Sequence, residues 1–132
     1  MPSEITKLTP NLVVSDVERS AAFYRDVLGF TIQMTVPDAP PYAFAMMTCG
    51  PVEVFLNSTE SAYAEYPAFK DRPIGGTLTL FIEVTEIEAA YARLAPLVTV
   101  VMPFEKKWYG MTEFAFVDPD GYIITYAQRT PA

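Results

Sequence analysis

The sequence predicts an α+β fold made of two tandem βαβββ units that form a curved, cup-like mixed sheet. The main observation is a repeat, because residues 14–18 (VSDVE) return 70 residues later as residues 84–88 (VTEIE). Each copy is preceded by a strand-like run and followed by an amphipathic helix and three further strand-like runs. The chain has 132 residues, of which 51% are apolar and 19% charged. Those values suit a single domain, built here from repeats at about 5–57 and 75–129.

The first repeat begins with a strand predicted at 8–14. Ser15 and Glu18 then match a capping box, in which the hydroxyl and the carboxylate each accept a hydrogen bond from a free backbone N–H. The helix ends at Gly29, a residue typical of helix C-termini. Its apolar face has helical spacing and consists of Val17, Ala21, Tyr24, Val27 and Leu28. Turn residues separate the strands that follow, predicted at 30–35, 42–48 and 52–57.

A connector at 58–76, with a short helix at 59–66, leads to the second repeat. Thr85 and Glu88 again match a capping box, and Pro96 ends the helix that follows. The turn at 118–121 (DPDG) contains residues that favour chain reversal. The predicted elements are a strand at 77–84, a helix with Ile87, Ala90, Tyr91 and Leu94 on its apolar face, and strands at 98–102, 112–117 and 122–128.

The charge and hydropathy of the chain limit its partners. A formal net charge of −7 argues against nucleic acid, because binding depends on Lys and Arg side chains that neutralise phosphates. The same charge would attract cationic small molecules if it lined a cleft, or it could simply keep the protein soluble. No apolar run approaches the roughly 18–20 residues of a membrane span, so no membrane partner is expected.

The N-terminal segment and the cysteine count predict the compartment. Residues 1–7 contain neither a basic region nor an apolar core, so no signal peptide is expected. Cys49 is the only cysteine, and one thiol cannot build the disulfide framework of a small secreted domain. We therefore expect a cytoplasmic protein.

Two segments carry a resemblance to a known family. Residues 12–30 (LVVSDVERSAAFYRDVLGF) resemble the first helix region of the vicinal oxygen chelate superfamily. This superfamily includes glyoxalase I, extradiol dioxygenases, fosfomycin-resistance enzymes and bleomycin-resistance proteins. Residues 114–128 (FAFVDPDGYIITYAQ) resemble its last hairpin. The resemblance extends from residue 8 to residue 128 and implies the glyoxalase/bleomycin resistance/dioxygenase fold.

The resemblance also implies where a metal site would lie. The metal-dependent enzymes of this superfamily bind their ion through His and Glu on four strands, and those positions correspond here to Thr9, Phe55 or a neighbour, Thr79 and Thr125. Neutral hydroxyls bind divalent ions weakly, and a phenyl ring does not bind them. The chain contains no histidine. We therefore expect no metal, no cofactor and no catalytic residue, and the prediction favours a protein that is not an enzyme.

An atypical metal site is the alternative. Glu53 and Glu83 have the same strand parity as Phe55 and Thr79, so both could face the cavity. A site made only of carboxylates could hold magnesium or manganese. The protein would then be a lyase, isomerase or oxygenase of the glyoxalase or dioxygenase type. The simpler interpretation is that both carboxylates are rim charges near strand ends.

A ligand site is predicted on the inner strand faces. Strand alternation and the resemblance together place these residues in it: Thr9, Asn11, Glu53, Phe55, Asn57, Thr79, Phe81 and Thr125. The alternative is that some of them fill the core. Trp108 and Tyr109, in a loop beside Gly110, could stack on a flat ligand or pack against a partner subunit.

The predicted function is binding or sequestration of a small molecule, such as a cationic aromatic drug or antibiotic. The resemblance is closest to the bleomycin-resistance branch, whose members lack the metal site and work as homodimers. It therefore implies a homodimer here, with a small-molecule ligand as the other partner. A metabolite sensor or accessory subunit is a further alternative.

Overall fold

The computed structural model describes residues 4–131 and divides the chain into two compact units. One unit ends at Asp71 and the next begins at Arg72, within the predicted connector. Each unit contains one predicted repeat, folded as a four-stranded mixed sheet with a long helix. The prediction of an α+β fold with two βαβββ repeats is therefore confirmed. That the two units make a single domain stays a prediction.

The elements lie close to their predicted bounds. The first unit contains β1 (Asn11–Val14), α1 (Val17–Asp26), β2 (Thr31–Val36), β3 (Phe44–Cys49), β4 (Val52–Ser58), α2 (Thr59–Glu65) and a 3-10 turn at Pro67–Asp71. The second contains β5 (Thr79–Glu83), α3 (Ile87–Leu94), β6 (Thr99–Lys106), β7 (Met111–Val117) and β8 (Ile123–Arg129). The main differences are that β1 starts at Asn11 rather than residue 8 and that β6 continues to Lys106.

The two sheets have the same topology. Their strand orders are β1-β4-β3-β2 and β5-β8-β7-β6, and in each sheet the first pair is parallel and the other pairs are antiparallel. Asn11 pairs with Phe55 in the first sheet, and Phe81 pairs with Thr125 in the second. Both members of the second pair lie 70 residues beyond those of the first. The internal repeat is therefore preserved in the strand register.

The core of the first unit lies between α1 and one face of its sheet. Val17, Ala21 and Tyr24 are buried at the helical spacing that the sequence predicts. The Tyr24 ring contacts the Phe30 ring edge-on, with the ring centroids 5.6 Å apart. The sheet side chains buried on alternate positions are Leu12, Val14, Ala45, Met47, Val54 and Leu56.

The core of the second unit is aromatic. Tyr91 on α3 contacts the rings of Phe104 and Phe114, with a centroid distance of 5.0 Å in each case. Phe114 also contacts Phe116 and Tyr126 on the same sheet face, both at 5.7 Å. These contacts identify the face of β7 that carries Phe114 as the one that α3 covers.

No helix within residues 4–131 is long and apolar enough to cross a membrane.

Neither helix start follows the predicted capping box. In α1 the N-cap is Asp16, whose carboxylate accepts a hydrogen bond from the Arg19 amide at 3.1 Å. Glu18 instead accepts from the Tyr42 amide at 2.8 Å, and so ties the helix to the loop before β3. This pairing satisfies a distant backbone donor, whereas the capping box would have satisfied one within the helix.

The α3 start is capped from another strand. Glu86 at the N-cap has left-handed backbone, with φ of 55°, and its side chain makes no capping hydrogen bond. The Ile87 amide donates to the side-chain oxygen of Gln128 on β8 at 3.0 Å. The predicted partners Thr85 and Glu88 are thus replaced by a group that only the tertiary structure brings near.

Gly75 is required by a close approach. Its φ is +87°, and a Cβ built there would lie 2.5 Å from the Asp120 carbonyl oxygen in the DPDG turn. A Cβ on Gly76 would meet its nearest atom, the Pro73 carbonyl oxygen, at 3.7 Å. The connector therefore packs on the last turn through a position where only glycine fits.

The substitution Asp16→Ala tests which residue caps α1. It should lower the free energy of unfolding by about 1 kcal/mol, because it removes the acceptor for a helix N-terminal amide. Ser15→Ala should change it by less than about 0.5 kcal/mol. Urea denaturation followed by circular dichroism measures both. A larger loss of stability in Ser15→Ala than in Asp16→Ala would indicate that Ser15 caps the helix, as the capping box predicts.

Gly75→Ala should destabilise the protein by about 1–3 kcal/mol, since it adds strain at positive φ to a clash with backbone. Gly76→Ala is the matched control and should stay within about 0.5 kcal/mol of the parent. The midpoints of thermal or urea unfolding compare the two. Equal stability of both variants would show that the connector does not pack on the turn.

Candidate functional site

The predicted site residues of the first unit lie on the sheet face turned away from its core. Val54 and Leu56 on β4 are buried on the core side, so strand alternation turns Glu53, Phe55 and Asn57 to the opposite side. Asn11 on β1 follows the same rule, because its neighbour Leu12 is buried. The structure thus gives these residues the common face that the sequence predicts.

Glu53 already has two hydrogen-bond partners on this face. Its Oε1 accepts from the Lys7 ammonium at 2.6 Å and from the Thr9 hydroxyl at 3.1 Å. The Lys7 hydrogen bond is the main reason that the pKa of Glu53 lies below its ordinary value, and the Thr9 hydrogen bond lowers it further. Thr9 and Glu53, both predicted site residues, are therefore joined directly.

On β1, β3 and β4, amide and aromatic side chains also form pairs. The Asn57 side-chain amide donates to the side-chain oxygen of Asn11. Phe55 packs edge-on against Phe44 of β3, with the ring centroids 5.1 Å apart. This half of the predicted site therefore offers an aromatic surface between two hydrogen-bonded polar pairs.

In the second unit, the predicted hydroxyls bind each other. The Thr79 and Thr125 oxygens lie 2.7 Å apart, so one hydroxyl donates to the other. Phe81, the register partner of Thr125, is 51% exposed. Phe81 therefore lies outside the core of the second unit, and its place in a ligand site stays a prediction. Thr125 is buried, so Phe81 is the accessible member of this pair.

Trp108 and Tyr109 form the tip of the β6–β7 hairpin. Trp108 is 94% exposed and Tyr109 46% exposed, and their ring centroids are 5.3 Å apart. The hairpin closes through a hydrogen bond from the Lys107 amide to the Met111 carbonyl at 2.7 Å, and the Thr130 amide of the chain after β8 binds the Gly110 carbonyl at 2.8 Å. The two rings therefore project from a hydrogen-bonded turn.

The sequence analysis missed Glu113. This β7 residue is only 3% exposed, and its Oε2 accepts a hydrogen bond from the Tyr109 hydroxyl at 2.8 Å. That bond is the main reason that the pKa of Tyr109 is raised. Glu113 alternates with the core residue Phe114, so it lies on the face that carries Thr125. An acidic residue inside an otherwise apolar strand was the available signal.

Each unit also has a groove beside the start of its long helix. The first is lined by residues that include Asp16, Glu18 and Tyr42, and the second by residues that include Gln128 and Thr112. Three of these side chains already bind backbone amides: Asp16 binds that of Arg19, Glu18 that of Tyr42, and Gln128 that of Ile87. None of the predicted site residues lines either groove.

The four positions implied for metal ligands hold groups that do not fit a divalent ion. Phe55 has no donor atom, the Thr9 hydroxyl donates to a carboxylate, and the Thr79 and Thr125 hydroxyls bind each other. A divalent ion in a protein needs several carboxylate, imidazole or thiolate ligands. Among residues 4–131, no three or more His, Cys, Asp or Glu side chains form a group that could hold a metal.

Comparisons with known proteins place the fold. The family model described as the Glyoxalase/Bleomycin resistance protein/Dioxygenase superfamily matches residues 5–126. A bleomycin resistance protein of Geobacillus stearothermophilus is 29% identical over 132 residues, covering 91% of this chain and 94% of that protein. A bleomycin resistance protein of Staphylococcus aureus matches with the same values.

Two solved structures show the same architecture. A glyoxalase/bleomycin resistance protein/dioxygenase from Nocardioides aligns with a TM-score of 0.81 and 25% identity, over 100% of this chain and 88% of that chain. The bleomycin-binding protein of Streptomyces verticillus, solved with copper(II)-bleomycin, aligns with a TM-score of 0.65 and 21% identity, over 99% and 100% of the two chains. The second likeness is one of fold.

The pairing of Glu53 predicts an acid-sensitive contribution to stability. A carboxyl whose pKa is lower in the folded state stabilises that state above the unfolded pKa, about 4.3, and loses this contribution as the pH falls through the folded pKa. Glu53→Gln should therefore be less stable than the parent near neutral pH and match it in acid. Urea midpoints at pH of about 7, 5 and 3 measure the difference. Glu65→Gln, at the exposed end of α2, controls for the change in net charge. A constant difference at all three values would contradict the pairing.

Proposed function

The chain belongs to the glyoxalase/bleomycin resistance protein/dioxygenase superfamily, and on this premise we propose that it binds and sequesters a cationic aromatic small molecule, such as a drug or antibiotic. The ligand is held without chemical change. The bleomycin resistance proteins among its relatives support this choice within a superfamily that also contains enzymes.

The observation that carries the proposal is the set of exposed aromatic side chains in the second unit. Phe81, Trp108 and Tyr109 all have large exposed rings, which water solvates poorly. Exposed apolar surface beside polar groups is typical of interaction sites. Thr79, an exposed residue on the same strand face as Phe81, adds a polar group that is hydrogen-bonded to Thr125. Flat aromatic ligands stack on such rings.

Charge selects the class of ligand. The net charge of −7 raises the local concentration of cations, and the exposed ring faces attract a cation that approaches them. Each such contact contributes about 0.5–2 kcal/mol, depending on how far water is excluded. A planar cation would use both effects at once.

The alternative of a carboxylate metal site gains no support from the geometry. The Oε1 of Glu53 already accepts from the Lys7 ammonium, and that positive charge would repel a metal ion bound by the same carboxylate. The proposal therefore assigns Glu53, with Thr9, Asn11, Phe55 and Asn57, to the wall of a ligand site. In the second unit, the residues proposed for ligand binding are Thr79, Phe81, Trp108, Tyr109 and Thr125.

Assembly and location also belong to this proposal. We place the protein in the cytoplasm as a homodimer made of single-domain subunits. Exposed apolar side chains on a strand edge are commonly covered by a partner. Val101 on the edge strand β6 and Leu97 just before that strand are exposed in this way. Sedimentation velocity reports the mass in solution directly.

Trp108 provides the first test of the proposal, since it is the only tryptophan in the chain. Bleomycin added to metal-stripped protein should change its fluorescence saturably. Trp108→Ala should weaken binding by roughly 2- to 30-fold in isothermal titration calorimetry, as expected for loss of one aromatic contact. Tyr66→Ala, which removes an exposed ring of the first unit, should leave the affinity unchanged.

A fluorescence response that requires added divalent metal would contradict the proposal and favour the enzyme alternative. So would equal bleomycin affinities for the parent and Trp108→Ala, because the hairpin would then lie outside the site.

A further inference from the structure

Two carboxylates are buried within residues 4–131, and only one of them is explained by the fold. Asp118 is 4% exposed and its Oδ1 accepts from the Asp120 amide at 3.0 Å and the Tyr122 amide at 2.9 Å, so it builds the DPDG turn. Glu113 is buried to the same degree, yet its one hydrogen bond comes from the Tyr109 hydroxyl. A buried charge that lacks a cation or backbone donors is costly.

The strand next to Glu113 makes this cost larger. Glu105 on β6 is its register partner, and like charges directly opposite each other destabilise a sheet. The nearby Lys107 ammonium bonds to Glu105. That contact is the main reason that the pKa of Lys107 is raised. Two carboxylates therefore share one ammonium, and the ammonium bonds to the more exposed of the two.

The first repeat shows that the fold does not need a carboxylate here. Glu113 pairs with Ala127, and the residue 70 positions before Ala127 is Asn57, whose partner on β3 is Phe44. Phe44 is thus the counterpart of Glu113, and it packs on Phe55. An aromatic ring satisfies this position in one repeat, so the charge in the other repeat calls for a role beyond folding.

One carboxylate oxygen of Glu113 is left for a ligand. Only Oε2 accepts a hydrogen bond from residues 4–131. In the same range, no side-chain oxygen or nitrogen is fully buried without a partner, so Oε1 is not completely sealed from solvent. The half-exposed Tyr109 is hydrogen-bonded to the same carboxylate, and its ring contacts the exposed Trp108 ring. An anionic oxygen beside exposed rings matches an organic cation.

We propose that Glu113 recognises the cationic group of the ligand, and that the Tyr109 hydroxyl holds its carboxylate in the free protein. The inference rests on the proposed function of small-molecule binding. The ligand class is an aromatic ammonium, amidinium or guanidinium, which can donate N–H hydrogen bonds to Oε1 and place its ring on Tyr109 or Trp108. One accessible carboxylate oxygen suits such a donor, whereas a metal ion needs several ligands.

The test compares a planar cation with its neutral counterpart. The probes are 9-aminoacridine, cationic at neutral pH, and acridine, which is neutral there. Glu113→Gln should weaken 9-aminoacridine and bleomycin by about 10-fold or more and change acridine by less than twofold, since the carboxamide keeps the shape and removes the charge. Glu65→Gln, which removes one exposed negative charge from the first unit, is the control for net charge and should change neither probe by more than about twofold. Calorimetry or probe fluorescence gives the affinities.

Circular dichroism establishes that Glu113→Gln is folded. If it is not, Tyr109→Phe provides the test, because it frees the carboxylate from its hydroxyl donor and keeps the ring. The ratio of 9-aminoacridine affinity to acridine affinity should then rise at least twofold. An unchanged or lower ratio in Tyr109→Phe would overturn the inference.

Two other results would also count against it, and they are distinguishable. One result is that the parent binds bleomycin and Glu113→Gln binds each of the three compounds as tightly as the parent does. Glu113 is then not the cation site, and the proposed function stands. If the parent binds neither bleomycin nor 9-aminoacridine, the proposed function fails and the inference fails with it.

Discussion

The rest of the structure depends on one constraint, the alternation of side chains along strands whose sheet has its long helix on one face. Packing of α1 and α3 commits every second side chain of each sheet to a core. The remaining side chains form a second face that the long helix does not cover. A shift of one residue in the register of β4 or β8 would exchange these faces, so the buried side chains that fix the register also fix which groups face a ligand.

The second face of each sheet shows how the two repeats have diverged under that constraint. In both units polar groups join at the parallel strand pair: Thr9, two residues before β1, with Glu53 in the first, and Thr79 with Thr125 in the second. Metal ligands in this architecture would have to converge on an ion, whereas these groups bind one another. The Thr79–Thr125 pair is neutral, and the charge of Glu53 is balanced by Lys7. The aromatic side chains on the same faces remain available for contact with a ligand. Such a face supports the proposed binding of a flat organic molecule.

Features that depend on local pattern, such as strands and apolar helix faces, could be predicted from the sequence. Features that depend on contacts between distant residues, such as the helix caps, could not. The apolar face of the helix Ile87–Leu94 follows from local spacing, since Ile87 and Leu94 belong to the predicted face and both are buried. The caps were wrong, since Glu18 finds the Tyr42 amide and Ile87 finds Gln128, partners that no local spacing contains. The common faces of the site residues followed from alternation. Glu113 was missed because an acidic strand residue ordinarily faces solvent, and only the structure shows it buried.

The contrast between Asp118 and Glu113 separates the needs of folding from those of binding. Both are buried carboxylates of the second unit, but the turn supplies Asp118 with amide donors that form whenever the chain reverses there. Glu113 instead depends on a hydroxyl from a half-exposed side chain at a hairpin tip, where the next ring is almost wholly exposed. A donor of that kind can be exchanged for a ligand without loss of any secondary structure. A cationic partner could therefore stabilise Glu113, because that partner would supply the positive charge which Lys107 gives to Glu105 instead.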